Sequence, residues 1–201
     1  MNNKILILVL CAMSFMSLDV FSQAPWKLEK SEDGIEVYTR DEKDSDFKSF
    51  KAVVMVDASS DEIIKVLKNA DSYSKWYGYT RTSKLLKQGQ DLQYNYVETI
   101  FPWPYKNRDM VYEMTFNTLN QKVIKISLKG LPEYIPENKG IVRMKKAEGY
   151  ILLKTLKRMT EISYEFHSEP GDNVPSWLAN NSIAELPFKT LYGLREILKE
   201  N

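Results

Sequence analysis

From Trp26 onward, apolar and polar residues alternate in short segments separated by turn residues. The stretch GIEVYTR (34–40) has the period of two that marks a β-strand, and SEDG before it reads as a turn. In FKSFKAVVMVDA, Phe50, Ala52, Val54 and Val56 share one phase and predict a second strand. Ser59 and Glu62 then have capping-box spacing, and Ile63, Val66 and Leu67 form a helical stripe, so a helix is expected over SSDEIIKVLKNA. A short helix or turn over DSYSKWYG follows. Strands are expected at about 80–87, 91–101, 108–118, 121–129, 141–154 and 157–168, with separations short enough for antiparallel neighbours.

One connection breaks this rhythm. GLPEYIPENKG (130–140) has two prolines, two glycines and the apolar side chains of Leu131, Tyr134 and Ile135, the make-up of a lid or of an ordinary surface connection. The chain closes with a long amphipathic pattern in which Trp177, Asn181, Ala184, Phe188, Leu191, Leu194 and Leu198 recur at spacings of three and four. Pro175 sits where a helix tolerates proline, at its start. Pro187 lies inside it and should kink it near Ile183 by removing a backbone donor. Strands, small helices, more strands and one long helix define an α+β architecture: an antiparallel sheet with helix on one face.

The amino terminus changes the picture of where the chain resides. MNNKILILVLCAMSFMSLDVFSQ places Lys4 ahead of an apolar run of about 14 residues, fewer than the roughly 20 that span a bilayer. Residues 1–22 are read as a signal peptide cut after Ser22, and the expected location is periplasmic or extracellular. Cys11, the only cysteine, would leave with that segment, so disulfides, thiol chemistry and cysteine metal sites are not expected. Removing 22 of 201 residues leaves 179, enough for one domain, taken as residues 26–199. The formal net charge is +1 and stays so after cleavage, since Lys4 and Asp19 offset each other. Such balance gives no reason to expect nucleic acid as a partner.

Catalytic equipment is sparse. The chain has no GxSxG, HExxH, phosphate loop or dinucleotide turn, and no cofactor is expected. Its single histidine, His167, shares a phase with Glu161, Ser163 and Glu165 and should face solvent. Strand 108–118 is different: period two puts Arg108 on the side of Met110, Tyr112, Met114 and Phe116. In the preceding strand, Glu98 falls in phase with Tyr94, Tyr96 and Ile100, opposite Gln93, Asn95, Val97 and Thr99. A wide hairpin loop would leave Glu98 one diagonal step from Arg108, and a buried charge needs a partner. Two readings follow. Arg108 and Glu98 form a structural ion pair, or they anchor the polar end of a ligand in a cavity lined by Tyr94, Tyr96, Tyr112, Met114, Phe116 and, from the helix, Phe188.

The runs EIIKVLKNADSYSKWYG, YVETIFPWPYKNRDMVY, KGIVRMKKAEGYILL and SYEFHSEPGDNVPSWLANNSIAELPFKTLYGLR, in this order, resemble the START lipid-binding domain family over about residues 26–199. PWPYKNRD and EPGDNVPSWLAN are the specific parts. The resemblance implies a helix-grip fold, in which a curved antiparallel sheet wraps around a long C-terminal helix and encloses an internal hydrophobic cavity. In phosphatidylcholine-transfer members the arginine of a similar stretch contacts the lipid phosphate, and Arg108 is the matching position. Phe101 stands where those members carry a tyrosine, so one hydroxyl contact is missing. In steroid-binding members the arginine joins a buried charge pair, and the loop 130–140 lies where the family has its gating loop.

The function expected is binding or transfer of one lipid or other hydrophobic small molecule by a monomer, with transient membrane contact and without catalysis. Two rivals stand beside it. An enzyme would need a titratable group in the cavity, for which Glu98 is the candidate; an envelope interaction module would have a core filled by its own side chains. A continuous apolar cavity of several hundred Å³ favours the carrier and a solid core the module. Trp103, between its two prolines, is expected to pack at the cavity rim.

Overall fold

KLEKSE has no apolar alternation, yet it forms the first strand. In the computed structural model, which describes residues 23–171 and 174–200, β1 (Lys27–Glu32) pairs antiparallel with β2 (Ile35–Glu42). The expected signal peptide lies outside the described residues. Backbone pairing at a sheet edge asks for no buried face, and charged side chains suit an edge that must not recruit another strand. The turn between the two is tight because Asp33 and Gly34 both take positive φ, 52° and 70°, the combination a primed hairpin turn needs.

The expected strands appear as β3 (Ser45–Val56), β4 (Thr80–Gln88), β5 (Leu92–Thr99), β6 (Arg108–Asn120) and β7 (Val123–Gly130), then β8 (Val142–Arg143), β9 (Lys146–Leu156) and β10 (Met159–Glu169). The single strand anticipated at 141–154 is thus two, interrupted at Met144–Lys145. The first piece pairs in parallel with the start of β6, and the second joins β7 and β10. All ten strands belong to one sheet in the order β1-β2-β3-β10-β9-β7-β6-β5-β4, with β8 attached to β6 off this path. The sheet is curved and does not close into a barrel.

Helix α1 (Ser60–Lys68) carries the expected capping box: the Ser59 hydroxyl accepts from the Glu62 amide at 3.3 Å, and the Glu62 carboxylate accepts from the Ser59 amide at 2.7 Å. A short 3-10 helix (Ala70–Lys75) follows. The C-terminal pattern is broken rather than bent, into α2 (Ser176–Ser182) and α3 (Glu185–Lys199). The break falls at the predicted Ile183, because Pro187 has no N–H to offer its carbonyl. Pro187 thereby becomes a first-turn residue of α3, where a missing donor costs little.

The core lies on the concave face, where Val37, Ala52, Ile126, Leu153 and Ile162 of the sheet meet Phe188, Leu191 and Leu194 of α3. Helix α3 is held at a fixed distance by Gly193, which rests on the Trp76 backbone so closely that a Cβ there would lie 2.2 Å from its carbonyl oxygen. Helix α2 has no fully buried residue.

Candidate functional site

Between the concave face and α2 lies a cavity of about 170 Å³, smaller than the several hundred Å³ anticipated. Its walls are Phe47 and Phe50 of β3, Val97 and Thr99 of β5, Met110 of β6, Tyr164 and Phe166 of β10, and Ala179, Asn180, Ile183 and Leu186 from the C-terminal helices. It has two ends. Along β10 the lining runs from Tyr164 at one end to Pro170 at the other, and Phe101 belongs to the Pro170 end, where Arg108 contacts both. At the inner end Tyr77 and Tyr164 join hydroxyl to hydroxyl at 2.6 Å, backed by Tyr73, which stacks on Tyr77, and by Trp76. A larger groove of about 820 Å³ on the outer side of the sheet is lined by Arg40, Glu42, Lys146, Glu165 and His167 among others. Its mixed charges do not suit an apolar ligand. His167 takes the outer phase, but it does not face open solvent as expected: its side chain is only 14% exposed within this groove.

Arg108 is buried, 2% exposed, on the concave side of β6 as its phase predicted. Its Nε donates to the Pro170 carbonyl at 2.9 Å, an Nη donates to the Lys106 carbonyl, and its guanidinium lies 4.5 Å from the centre of the Phe101 ring. Phe101 and Pro170 line the cavity, and Arg108 sits directly behind them. Burial lowers its pKa from the ordinary arginine value, with Tyr105 opposing; a guanidinium nonetheless keeps its charge.

The anticipated Glu98–Arg108 pair does not form. Residues directly opposite in a sheet share a face, and the register sets Thr99 against Arg108, Val97 against Met110, and Glu98 against Asp109. Glu98 is therefore on the convex face, where it accepts from Asn107 Nδ2 at 2.7 Å and lies 3.6 Å from Arg81. Tyr94 and Tyr96 share that face and do not line the cavity. Tyr112 and Met114 do face the core, but beyond the inner end, where Tyr112 meets Tyr73 and Asn95. Phe116 lies farther along β6 under Lys68, 4.8 Å from its ring centre, and Phe188 packs on α3 beneath Lys30 at 4.0 Å.

Loop 130–140 also occupies the convex face, which corrects its anticipated position over the cavity. Tyr134 stacks on Tyr94 with ring centres 4.8 Å apart, and Asn138 Nδ2 donates to the Tyr96 hydroxyl at 3.0 Å and to Asp109 Oδ2 at 3.1 Å. Its centre is Arg143, which binds Asp109 through Nε at 2.7 Å and Nη2 at 3.2 Å. The same guanidinium donates to the carbonyls of Pro132, Ile135 and Pro136 at 2.6, 3.1 and 3.3 Å. Leu131 and Ile135 are strapped down with it, so neither gates the cavity. Trp103 does not pack at the rim either; it is 92% exposed.

The part of the helix over the cavity is held lightly. Asn180 Oδ1 accepts from the Lys48 amide at 3.0 Å, and Asn180 Nδ2 donates to the Asp46 carbonyl at 2.9 Å, latching α2 to the end of β3. Replacing Asn180 by alanine removes both bonds. Exchange of a bound fluorescent lipid should then speed up about tenfold, with little change in melting temperature because α2 buries no residue fully. An unchanged exchange rate would show that α2 does not gate the cavity.

The tyrosine cluster predicts alkaline instability. Burial pushes Tyr77 up to about 12, and Tyr112 and Tyr164 well above the ordinary 10.0. An unfolded chain releases these protons first, so stability present below about pH 10 declines as pH rises toward 12. Melting temperature and phenolate absorbance should change together over that window. Phenolate appearing near pH 10 while the protein stays folded would contradict the burial.

A curved antiparallel sheet whose concave face is covered by a C-terminal helix over an apolar cavity is the helix-grip fold. The chain belongs to the START domain family, whose profile matches residues 8–201. It is 35% identical over 171 residues to an uncharacterized protein of Pseudomonas aeruginosa, covering 85% of each. With mouse phosphatidylcholine transfer protein it shares 24% identity over 164 residues, 78% of this chain and 76% of the relative. A solved STAR-related lipid transfer protein fragment from Xanthomonas axonopodis superposes with a TM-score of 0.83 at 36% identity, covering 87% of this chain and 98% of that one.

Proposed function

We propose that this chain is an exported, non-enzymatic, monomeric carrier that binds one hydrophobic molecule between the concave face and α2 and exchanges it at a membrane. The observation that carries the reading is the apolar cavity, walled by Phe47, Phe50, Val97, Met110 and Phe166, in a chain of the START family. An apolar cavity of about 150 Å³ takes up a benzene-sized molecule, so the closed site accepts one end of a lipid, and a whole lipid requires α2 to lift. Burial of the apolar body contributes roughly 25 cal/mol per Å². The enzymatic alternative depended on Glu98 as a cavity acid, and Glu98 is on the other face of the sheet.

Two exposed tryptophans support the bilayer as the place of exchange. Trp103 is on the loop that carries Phe101, and Trp177, 64% exposed, is on α2; both Phe101 and α2 bound the cavity. Indole rings favour the membrane interface. Replacing both by serine should reduce binding to phosphatidylcholine vesicles roughly tenfold, as expected for losing part of two aromatic burials, in a vesicle co-sedimentation assay. Undiminished binding would remove this face from the reading.

The carrier reading is tested by native mass spectrometry of the purified protein followed by solvent extraction. One hydrophobic molecule per chain is expected. A protein that arrives empty and ignores a lipid panel would overturn it. Export is tested separately by amino-terminal sequencing of the mature protein, expected to begin at Gln23.

A further inference from the structure

The inner end of the cavity holds a donor that its apolar surroundings do not use. Two phenol groups carry two protons, and the single bond between Tyr77 and Tyr164 occupies one of them. Among the described residues, each hydroxyl is hydrogen-bonded to the other, which leaves one O–H to point away from the pair. Both side chains line the cavity, and Phe50, which touches Tyr164, lines it with them. Their positions are fixed. The Phe50 ring meets Tyr164 edge-on at 5.0 Å, and Tyr73 stacks on Tyr77 with ring centres 5.7 Å apart.

We propose that the Tyr77–Tyr164 pair is a ligand subsite that recognises a neutral acceptor oxygen, such as a ketone or ester carbonyl, on an otherwise apolar molecule inserted oxygen-first. The proposal rests on the cavity being the ligand site. Burial raises both phenols above their ordinary pKa, so both stay protonated and can donate at neutral pH. A neutral oxygen fits better than an anion because the residues at this end are aromatic and aliphatic. The lining cation, Lys48, belongs with Phe47 to the other end, and a desolvated anion without a counter-charge is costly. One spare donor in a water-poor pocket also discriminates: a ligand of equal shape without the oxygen leaves that O–H unmade.

The test compares acetophenone with cumene, two ligands of equal heavy-atom count that differ in the carbonyl. Their affinities are measured by ligand-observed NMR for the parent chain and for a Tyr77→Phe/Tyr164→Phe variant. Double replacement should lower the acetophenone-to-cumene affinity ratio roughly fivefold to tenfold and leave cumene binding nearly unchanged. An unchanged ratio overturns the subsite and leaves the carrier reading standing. Failure of the parent chain to bind either probe overturns both. If the double variant does not fold, the carbonyl-carbon resonance of bound acetophenone decides. A downfield displacement relative to hydrocarbon solvent is expected, and a hydrocarbon-like position sinks the proposal.

Discussion

An Arg143→Met chain should melt about 10 °C below the parent in calorimetry, the largest loss expected from any single change. Arg143 and Asp109 are both within 2% of full burial and bond through two N–H groups. Breaking a buried pair from one side costs about 3–5 kcal/mol, because the remaining charge is left desolvated. In a domain of this size each kcal/mol moves the midpoint by about 2–4 °C. Three loop carbonyls lose their donor at the same time. Loop 130–140 should therefore become a site of tryptic cleavage at Lys139 while the sheet is still folded. Adding Asp109→Leu should restore much of the loss, since an apolar pair of similar volume leaves no charge behind. A melting point within about 2 °C of the parent for Arg143→Met alone would contradict the strap.

The second large effect is expected at Gly193. A methyl there would fall 2.2 Å from the Trp76 carbonyl oxygen and 3.0 Å from its carbon, a contact with backbone that no rotamer change relieves. Alanine gains about 1 kcal/mol of helix propensity over glycine, which opposes the clash and does not cancel it. Gly193→Ala should lower the melting temperature by about 5 °C or more. It should also weaken ligand binding, because the 3-10 helix displaced by α3 leads directly into Tyr77. A variant as stable as the parent would mean that α3 does not sit against Trp76 in solution.

Much of this arrangement was readable from period and spacing. Strand β6 was assigned correctly because Met110, Tyr112 and Met114 are uniformly large on one phase, and the Pro187 break followed from one missing donor. Strand β5 was assigned to the wrong face for a physical reason. Its concave phase holds Gln93 and Asn95, whose polarity is absorbed in part locally: Gln93 Nε2 donates to the Leu67 carbonyl at 3.2 Å and to Asn95 Oδ1 at 3.1 Å, while Gln93 Oε1 and Asn95 Nδ2 have no hydrogen-bond partner among the described residues. Its convex phase holds Tyr94 and Tyr96, which are covered by loop 130–140. When both faces of a strand are covered, alternation no longer reports which is inside.

Strand β6 opens with an Arg-Asp dipeptide, and period two sends those two charges to opposite faces, so a buried Arg108 makes Asp109 a convex residue that needs its own cation. Arg143, between Val142 and Met144, carries a comparable anomaly. Trp177 was expected to pack because it continues the α3 stripe. The helix stops at Ile183, so the stripe of α3 does not continue into α2: Trp177 is exposed, and Ala179 and Asn180 line the cavity instead.

That break also divides the free energy of the C-terminal segment unevenly. Helix α3 buries Pro187, Phe188, Thr190, Leu191 and Leu194, whereas α2 buries no residue fully and is latched through one asparagine. Amides of α2 should therefore exchange with solvent deuterons through local opening, and those of α3 only through global unfolding. Cargo residence time and thermal persistence then become separately heritable traits. Substitutions in the seven residues of α2 can retune how long a molecule is held without drawing on the stability reserve that keeps the chain folded.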